Sequence, residues 1–435
     1  MELFDEHGRF VLEDYDSKPA FSSFLPAVAG LYGKPVWAYY VNRGQGMATF
    51  GTVSKEYPIL EFNAANKAYQ STPYLGFRTF IQGRRGEESF LTEPFTPKNS
   101  RVKGDEVGNS NLPKRVMYTS LNHYEVAESD DNLGLKTTAT FFVLPEEDFG
   151  ALVRRMTITN TGDDTLTISA LDGLGKIEPV GGMIDWSLKN MGRTLEGWFG
   201  VYHADDTLNL PFFRMSTEAD DSAEVVIEQA GHYCISFIEG DENTPLPIVY
   251  DGKSIFGQDT SLMEPNGLKT KTISEILSNP QYGDAITSSS FAALENFELG
   301  AGESITISSF YGKAVHVEEV PKIAKYVMAP GYASSKFLQA QRMINRMTSG
   351  VETTTASPLF DGAVRQMYLD NSLRGGMPFI LGDVDESAKM SNYDEDSRVK
   401  VFHTFSRIHG DLERDYNAFD IAYTYFSQVR DVFFA

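Results

Sequence analysis

The sequence predicts a mostly β fold with a smaller α part: antiparallel sheets packed as a sandwich, then helices. Three observations predict it. Short strand-like runs punctuated by Gly, Asn, Asp and Pro extend from the N-terminus to about residue 315. Within them apolar and polar residues alternate, the pattern of a sheet with one buried face. Beyond about residue 316 the apolar spacing becomes helical.

Two early segments are less plain than the later strands. Trp37 to Gly46 runs an aromatic strand into a polar, Gly-containing turn, and Glu61 to Gln70 gathers two Asn, a Gln and a Tyr. Amides beside aromatic rings suit a sugar surface, since hydroxyls take polar partners and sugar C–H faces take rings. The competing reading is a loop capped by Asn side chains.

The clearest strand unit is Leu152 to Ala170. Leu152, Met156 and Ile158 share one parity, Asn160-Thr161-Gly162-Asp163-Asp164 supplies turn chemistry, and Leu166, Ile168 and Ala170 resume one face. That pattern predicts a hairpin. A second unit repeats it, with Phe297 and Leu299 before Gly300-Ala301-Gly302-Glu303 and Ile305 and Ile307 after it. Helices are expected over Val320 to Met328 and Ser334 to Met347, separated by Pro330-Gly331. In the second, Phe337, Gln341, Ile344 and Met347 recur at helical spacing, with Leu338 and Ala340 widening the stripe. Ser357-Pro358 opens a third helix as N-cap and first helical residue, and Gly375-Gly376 ends it.

The 435 residues carry 38 basic and 60 acidic side chains, a net charge of −22. A nucleic-acid partner needs a basic footprint, and only the short Gly83-Arg84-Arg85-Gly86 turn offers one, so nucleic acid and anionic membrane are both disfavoured. The single cysteine, Cys234, excludes an internal disulfide and, between Tyr233 and Ile235, reads as a buried strand thiol. No basic and apolar leader opens the chain, and the apolar run from Phe24 to Val41 is broken by Pro26, Lys34 and Pro35. These features point to a cytoplasmic protein. Phosphate loops, zinc spacings, H-E-x-x-H patterns and nucleophile elbows are all missing from the sequence, so no cofactor is expected.

The densest chemistry lies at Ser406 to Asn417, where Arg407, His409, Asp411, Glu413, Arg414 and Asp415 fall within twelve residues. Three readings stay open. Asp411, Glu413 or Asp415 could form the carboxylate pair of a glycoside hydrolase, although neighbouring Arg and His favour the ionised form, poor for a general acid. The cluster could instead bind anions and polyols, with forked Arg donors and Asp acceptors. It could also be a structural ion-pair network.

The block Ser406-Arg407-x-His409-Gly410-Asp411-Leu412-Glu413-Arg414-Asp415-Tyr416-Asn417, with Phe21 to Pro26, Trp37 to Gly44 and Leu152 to Asp172, resembles the cellobiose-phosphorylase-type glycoside phosphorylases, glycoside hydrolase family 94. The likeness is nearest to members acting on β-1,2-oligoglucans. It implies a large β-sandwich (a supersandwich) over 1–316, a helical linker over 317–355, and over 356–435 the incomplete start of an (α/α)6 catalytic barrel. It implies inverting phosphorolysis of a β-linked gluco-oligosaccharide, with inorganic phosphate as co-substrate and an Asp in the barrel as general acid. Dimerisation through the sandwich is also a family expectation. Substrate-binding roles fall on Arg407, His409, Asp411, Arg414, Asp415 and Asn417. The family's Gly/Asn-rich turn and Arg-Asp-x-Asn-Gln motif are not intact here: Gln428 is followed at once by Val429-Arg430-Asp431-Val432, so Arg430 and Asp431 match only the motif's first two residues. No residue of this sequence matches the general acid, which implies a truncated or frameshifted reading frame and an inactive isolated chain.

Overall fold

The computed structural model describes residues 4–373, apart from 26–27, 31–32, 35, 53–56, 64, 100–111, 181–196, 206–207, 209, 218–222 and 279–287, together with 378–381 and 399–402. The largest sheet has ten strands, in the order β1 (Phe10–Glu13), β8 (Lys114–Thr119), β9 (His123–Asp130), β10 (Leu135–Val143), β11 (Ala151–Asn160), β19 (Ser304–Ala314), β15 (Gly231–Ile238), β14 (Leu210–Met215) and β13 (Phe199–Asp205), with β16 (Thr244–Pro245) paired to β15. A five-stranded sheet runs β17 (Ile248–Asp251), β18 (Ser288–Leu299), β12 (Leu166–Leu174), β6 (Phe77–Arg85) and β7 (Glu88–Thr92). Four strands, β2 (Ser22–Phe24), β3 (Trp37–Val41), β4 (Met47–Gly51) and β5 (Pro58–Leu60), make a third sheet, and β20 (Pro378–Leu381) pairs with β21 (Val399–Phe402). The helices are α1 (Ala65–Leu75), α2 (Gly252–Phe256), α3 (Ile273–Ser278), α4 (Val320–Val327), α5 (Tyr332–Thr348) and α6 (Pro358–Leu373). The protein is mostly β, with large antiparallel sheets and a smaller helical part.

Strand alternation builds three apolar layers. Met156, Ile158, Ile305 and Ile307 of the ten-stranded sheet meet Ile81, Leu166, Ile168 and Leu174 of the five-stranded one in a single core, to which the third sheet adds Met47 and Phe50. Each such aliphatic side chain contributes about 1.5–3 kcal/mol when fully buried. The opposite parity of the ten-stranded sheet, including Phe142, Val153 and Phe310, packs under Val320, Ile323, Ala324 and Val327 of α4 and Ala333 and Ala340 of α5. On the far side, Phe80, Leu171 and Phe291 are covered by Ile255 and Phe256 of α2 and Ile273 and Ile276 of α3.

The two expected hairpins are corrected by the topology. Both members of each unit are strands, but they do not pair with each other. β11 pairs with β10 and β19, while β12 pairs with β18 and β6, so the 161–165 turn carries the chain from one sheet to the facing one. The turn between β18 and β19 makes the same crossing. Alternation of period two reports which face is buried, and a strand on either side of a shared core buries the same parity. Asn160, fully buried, ties the two crossovers together. Its Nδ2 donates to the carbonyls of Asp164, Leu299 and Gly300 at 2.8, 3.0 and 3.0 Å, and its Oδ1 accepts from Gly162 N at 3.1 Å and Arg85 Nη2 at 3.0 Å. Arg85, from the basic Gly83 to Gly86 stretch, thus serves the fold.

The aromatic and amide-rich early segments are also resolved. Trp37 to Gly46 is core: Trp37 and Asn42 are fully buried and Gln45 nearly so. Asn42 accepts from Phe21 N at 2.9 Å and donates to Tyr15 O at 2.8 Å and Pro19 O at 3.0 Å, which is loop capping and leaves no sugar surface. Glu61 to Gln70 is no loop past Ala65, where α1 starts. Alanines and straight-chain Lys and Gln favour that helix.

The expected helices near 320 and 334 are α4 and α5. The buried stripe of α5 is Ala333, Lys336, Ala340, Ile344 and Thr348, with Leu338 turned outward at 49% exposure. Lys336 is held inward by Pro145 O at 3.0 Å and Glu147 at 2.5 Å. Arg155 of β11 grips both oxygens of Glu239 at 2.7 Å and Ser334 Oγ at 3.0 Å, seating the start of α5 on the sheet. Burial raises the Glu239 carboxyl, but the Arg155 bonds outweigh it and hold it below the ordinary value.

Candidate functional site

Every predicted site residue, Arg407, His409, Asp411, Arg414, Asp415, Asn417, Arg430 and Asp431, lies outside the described residues. The candidate site therefore rests on what those residues build, which is a groove between the ten-stranded sheet and the helices.

Three segments distant in sequence form this groove. The turn before β1 brings His7 and Arg9, the start of β9 brings Asn122, His123 and Glu125, and α5 lays Gln341 and Asn345 alongside. The cavity has a volume of about 590 Å³ and adjoins a second of about 350 Å³ that shares His7, Ser120, Leu121 and Asn345 and reaches α6. Phe337 and Ile344 supply apolar wall.

Local folding positions each group. Asp5 caps the tight turn, accepting from His7 N at 3.0 Å and Arg9 N at 2.8 Å. Arg9 then bridges two carboxylates, Asp5 Oδ2 at 2.8 Å and Glu125 Oε1 at 3.3 Å, with its guanidinium 4.3 Å over the Tyr118 ring. Thr140 donates to the other Glu125 oxygen at 3.0 Å. Burial acts to raise the Asp5 carboxyl, and the Arg9 bonds bring it below its ordinary value. One guanidinium between two carboxylates leaves local charge negative. The groove around Arg9 therefore disfavours anions, and the ion-paired Asp5 carboxyl is a poor general acid.

Asn122 donates to Ala340 O of α5 at 3.0 Å and its Oδ1 lies 3.3 Å from His123 Nδ1. His123 is 3% exposed, stands edge-on to Phe337 at 4.9 Å, and has its Nε2 without a hydrogen-bond partner among the described residues. Burial first, then the nearby Arg9 charge, push its pKa down to about 4, so the ring is neutral and Nε2 is an acceptor when Nδ1 carries the proton. The side chain of Gln341, half-buried, makes no hydrogen bond among the described residues. Asn345 accepts from Arg365 of α6 at 3.1 Å.

The arrangement offers amides and an apolar wall, and so can bind a neutral polar molecule. Another cavity, about 670 Å³ on the five-stranded sheet, has its principal groups engaged: Gln82 Nε2 donates to Leu268 O at 3.1 Å and Ser169 Oγ accepts from Asn296 N at 2.9 Å. Cys234 is fully buried in β15, and burial pushes its thiol up to about 11, which leaves it no nucleophile. Among the described residues no group of three or more His, Cys, Asp or Glu could hold a metal ion, and no helix is long and apolar enough to cross a membrane.

Sequence reasoning passed over the groove because its three segments are far apart in the chain, the outermost by more than 300 positions. One signal was present: Gln341 is a polar residue on an otherwise apolar helical stripe.

No protein-family model matches the chain, nor does any curated protein. Solved structures similar to it include a bacterial glucoamylase complexed with acarbose, at 10% identity and TM-score 0.33, covering 83% of this chain and 46% of that one. A polysaccharide lyase is 10% identical with TM-score 0.28, covering 68% and 32%. A candidate kojibiose phosphorylase from the human microbiome is 7% identical with TM-score 0.24, covering 83% and 32%. The chain spans less than half the length of each of these carbohydrate-active proteins.

Proposed function

We propose that the chain is the N-terminal part of an inverting β-glucan phosphorylase, acting on a β-1,2-oligoglucan or a cellobiose-like glucoside. The observation that carries the reading is the Ser406 to Asn417 block, whose Arg, His and Asp residues fit the sugar and phosphate contacts of such an enzyme. The order of elements supports it: the large sheets end at Ala314, α4 and α5 lie along the ten-stranded sheet, and α6 starts at Pro358. In this reading 1–316 is the sandwich, 317–355 the linker and 356–435 the first part of an (α/α)6 barrel.

The chemistry follows from the inverting geometry. A phosphate oxygen attacks the anomeric carbon from the face opposite the glycosidic oxygen, the C1–O bond to the leaving sugar breaks, and a general acid protonates that oxygen. Phosphate takes the place of the water and general base of an inverting hydrolase. The product is α-glucose 1-phosphate. Arg407, His409 and Arg414 would donate to phosphate, Asp411 and Asp415 would accept from sugar hydroxyls, and Asn417 would both donate to and accept from them. The general acid is assigned to a barrel Asp beyond this sequence, so the 435-residue chain alone is expected to form no glucose 1-phosphate. Reading the DNA immediately downstream tests the assignment: a continuing frame with an Arg-Asp-x-Asn-Gln motif and a barrel Asp is expected, and a frame lacking both would sink it.

A second reading, a carbohydrate-binding sandwich without catalysis, is favoured by the groove between β9 and α5. Saturable glycan binding by a chain that turns nothing over, together with a downstream frame lacking the barrel, would select it.

A further inference from the structure

The groove between β9 and α5 has a feature that packing alone does not account for. Two of its polar side chains, His123 and Gln341, have hydrogen-bonding atoms left over. His123 is more than nine-tenths buried, and its Nε2, closed to solvent as it stands, has no partner among the described residues. Gln341 carries a donor pair and an acceptor on one planar group, half-buried along the same wall.

We propose that this groove is a saccharide-binding site, separate from the Ser406 to Asn417 block, that takes a neutral oligosaccharide. The ligand class follows from the chemistry. Anions are disfavoured in the first chamber, because Arg9 is already shared between Asp5 and Glu125, and in the second the Arg365 guanidinium is turned to Thr348 Oγ1 and Asn345 Oδ1. Cations find both carboxylates ion-paired. A neutral polyol suits the rest: each sugar hydroxyl both donates and accepts, which matches the Gln341 and Asn345 amides, and the apolar wall of Phe337 and Ile344 suits sugar C–H groups. The two adjoining chambers, about 590 and 350 Å³, fall within the range of small-molecule sites and favour an elongated ligand over a single ring. His7, Ser120 and Asn345 line both chambers, so one ligand passing from the first to the second meets polar groups throughout.

The inference takes its sugar, a glucan, from the function proposed above. Its place is different: the site lies on the sandwich and the linker helix, where it would hold one end of a chain while another part is worked on elsewhere.

The test is calorimetric titration of the 435-residue chain with a β-1,2-linked glucotriose, with and without inorganic phosphate. Saturable binding unaffected by phosphate is expected, weakened about tenfold or more by Gln341→Ala. Because the Gln341 side chain makes no hydrogen bond among the described residues, that variant should melt at the parent temperature. Absence of binding to the folded chain would overturn the inference. So would binding unchanged in Gln341→Ala, which would put the sugar elsewhere, or competition by phosphate, which would mark an anion site. If the groove stays empty while a downstream-extended chain performs phosphorolysis, the groove is refuted and the proposed function stands. The converse result separates them equally.

Discussion

Arg154 and Asp172 face each other across the core, both fully buried, with Arg154 Nη2 2.9 Å from Asp172 Oδ1 and Nη1 bonded to the other carboxylate oxygen. They sit on β11 and β12, consecutive strands that belong to opposite sheets. Around them Gln45 accepts from Arg154 at 2.6 Å, Thr79 donates to Asp172 at 2.7 Å, and Gln45 donates to Thr79 at 2.9 Å. The guanidinium also lies 5.1 Å from the Phe77 ring centre. One polar cluster thus joins the two facing sheets and the turn between β3 and β4 of the third.

Removing one partner of that pair is predicted to be severe. Asp172→Asn leaves a buried guanidinium short of its counter-charge and should lower stability by about 3–5 kcal/mol. The urea midpoint should fall with little change in slope. The Arg154→Met, Asp172→Leu double variant should lose less than the two single variants together, since neither charge is left buried alone.

Asn160 gives a second prediction. Asn160→Ala removes the side chain that bonds to both crossovers, and should lower stability by about 2–4 kcal/mol through carbonyls left without donors. Asn160→Asp should fare no better, because a carboxylate cannot donate to those carbonyls. Thermal melting of the two variants beside the parent checks both statements.

Two buried histidines set an acid dependence. Burial holds His123 at about 4 and His232 at about 3, against an ordinary 6.5. His123 is flanked by Arg9, which lowers it further, and Asp5, which opposes. His232 bonds through Nδ1 to Glu178 O at 2.6 Å, which acts to raise it, while Lys313 acts to lower it. Between pH 6.5 and about 4 the unfolded chain binds protons that the folded chain refuses, so stability falls as pH falls through that window. Each group contributes a slope of up to about 1.4 kcal/mol per pH unit. Denaturant titrations at several pH values should show a shallower dependence for His123→Gln than for the parent; an identical dependence would mean the ring is charged in the fold.

Cys234 should be silent to a thiol reagent in the native state and react fully in denaturant. Fast labelling of the folded chain would contradict its burial between β14 and β19.

Much of this architecture is legible in the sequence, and the failures have physical causes. Leu152, Met156, Ile158, Leu166 and Ile168 mark strands because their alternation is set by the pleat. Sheet membership is not marked, because strands on either side of one core carry the same pattern, and so β11 and β12 read as a hairpin. Trp37 and Gln45 read as a sugar surface because composition does not say whether an amide faces solvent or, like Gln45, an arginine in the core. The groove is illegible for another reason: Arg9, Glu125 and Gln341 meet only through tertiary folding. The Ser406 to Asn417 cluster is legible as chemistry, and its placement lies outside the described residues.

The central claim is that this chain belongs to a phosphorolytic enzyme. The most direct measurement is enzymatic assay of α-glucose 1-phosphate formed from β-1,2-gluco-oligosaccharides by the chain extended through its downstream frame. The account predicts one glucose 1-phosphate per bond cleaved, formed only with inorganic phosphate present and abolished by Arg407→Ala. Free reducing sugar released at the same rate without phosphate would contradict it.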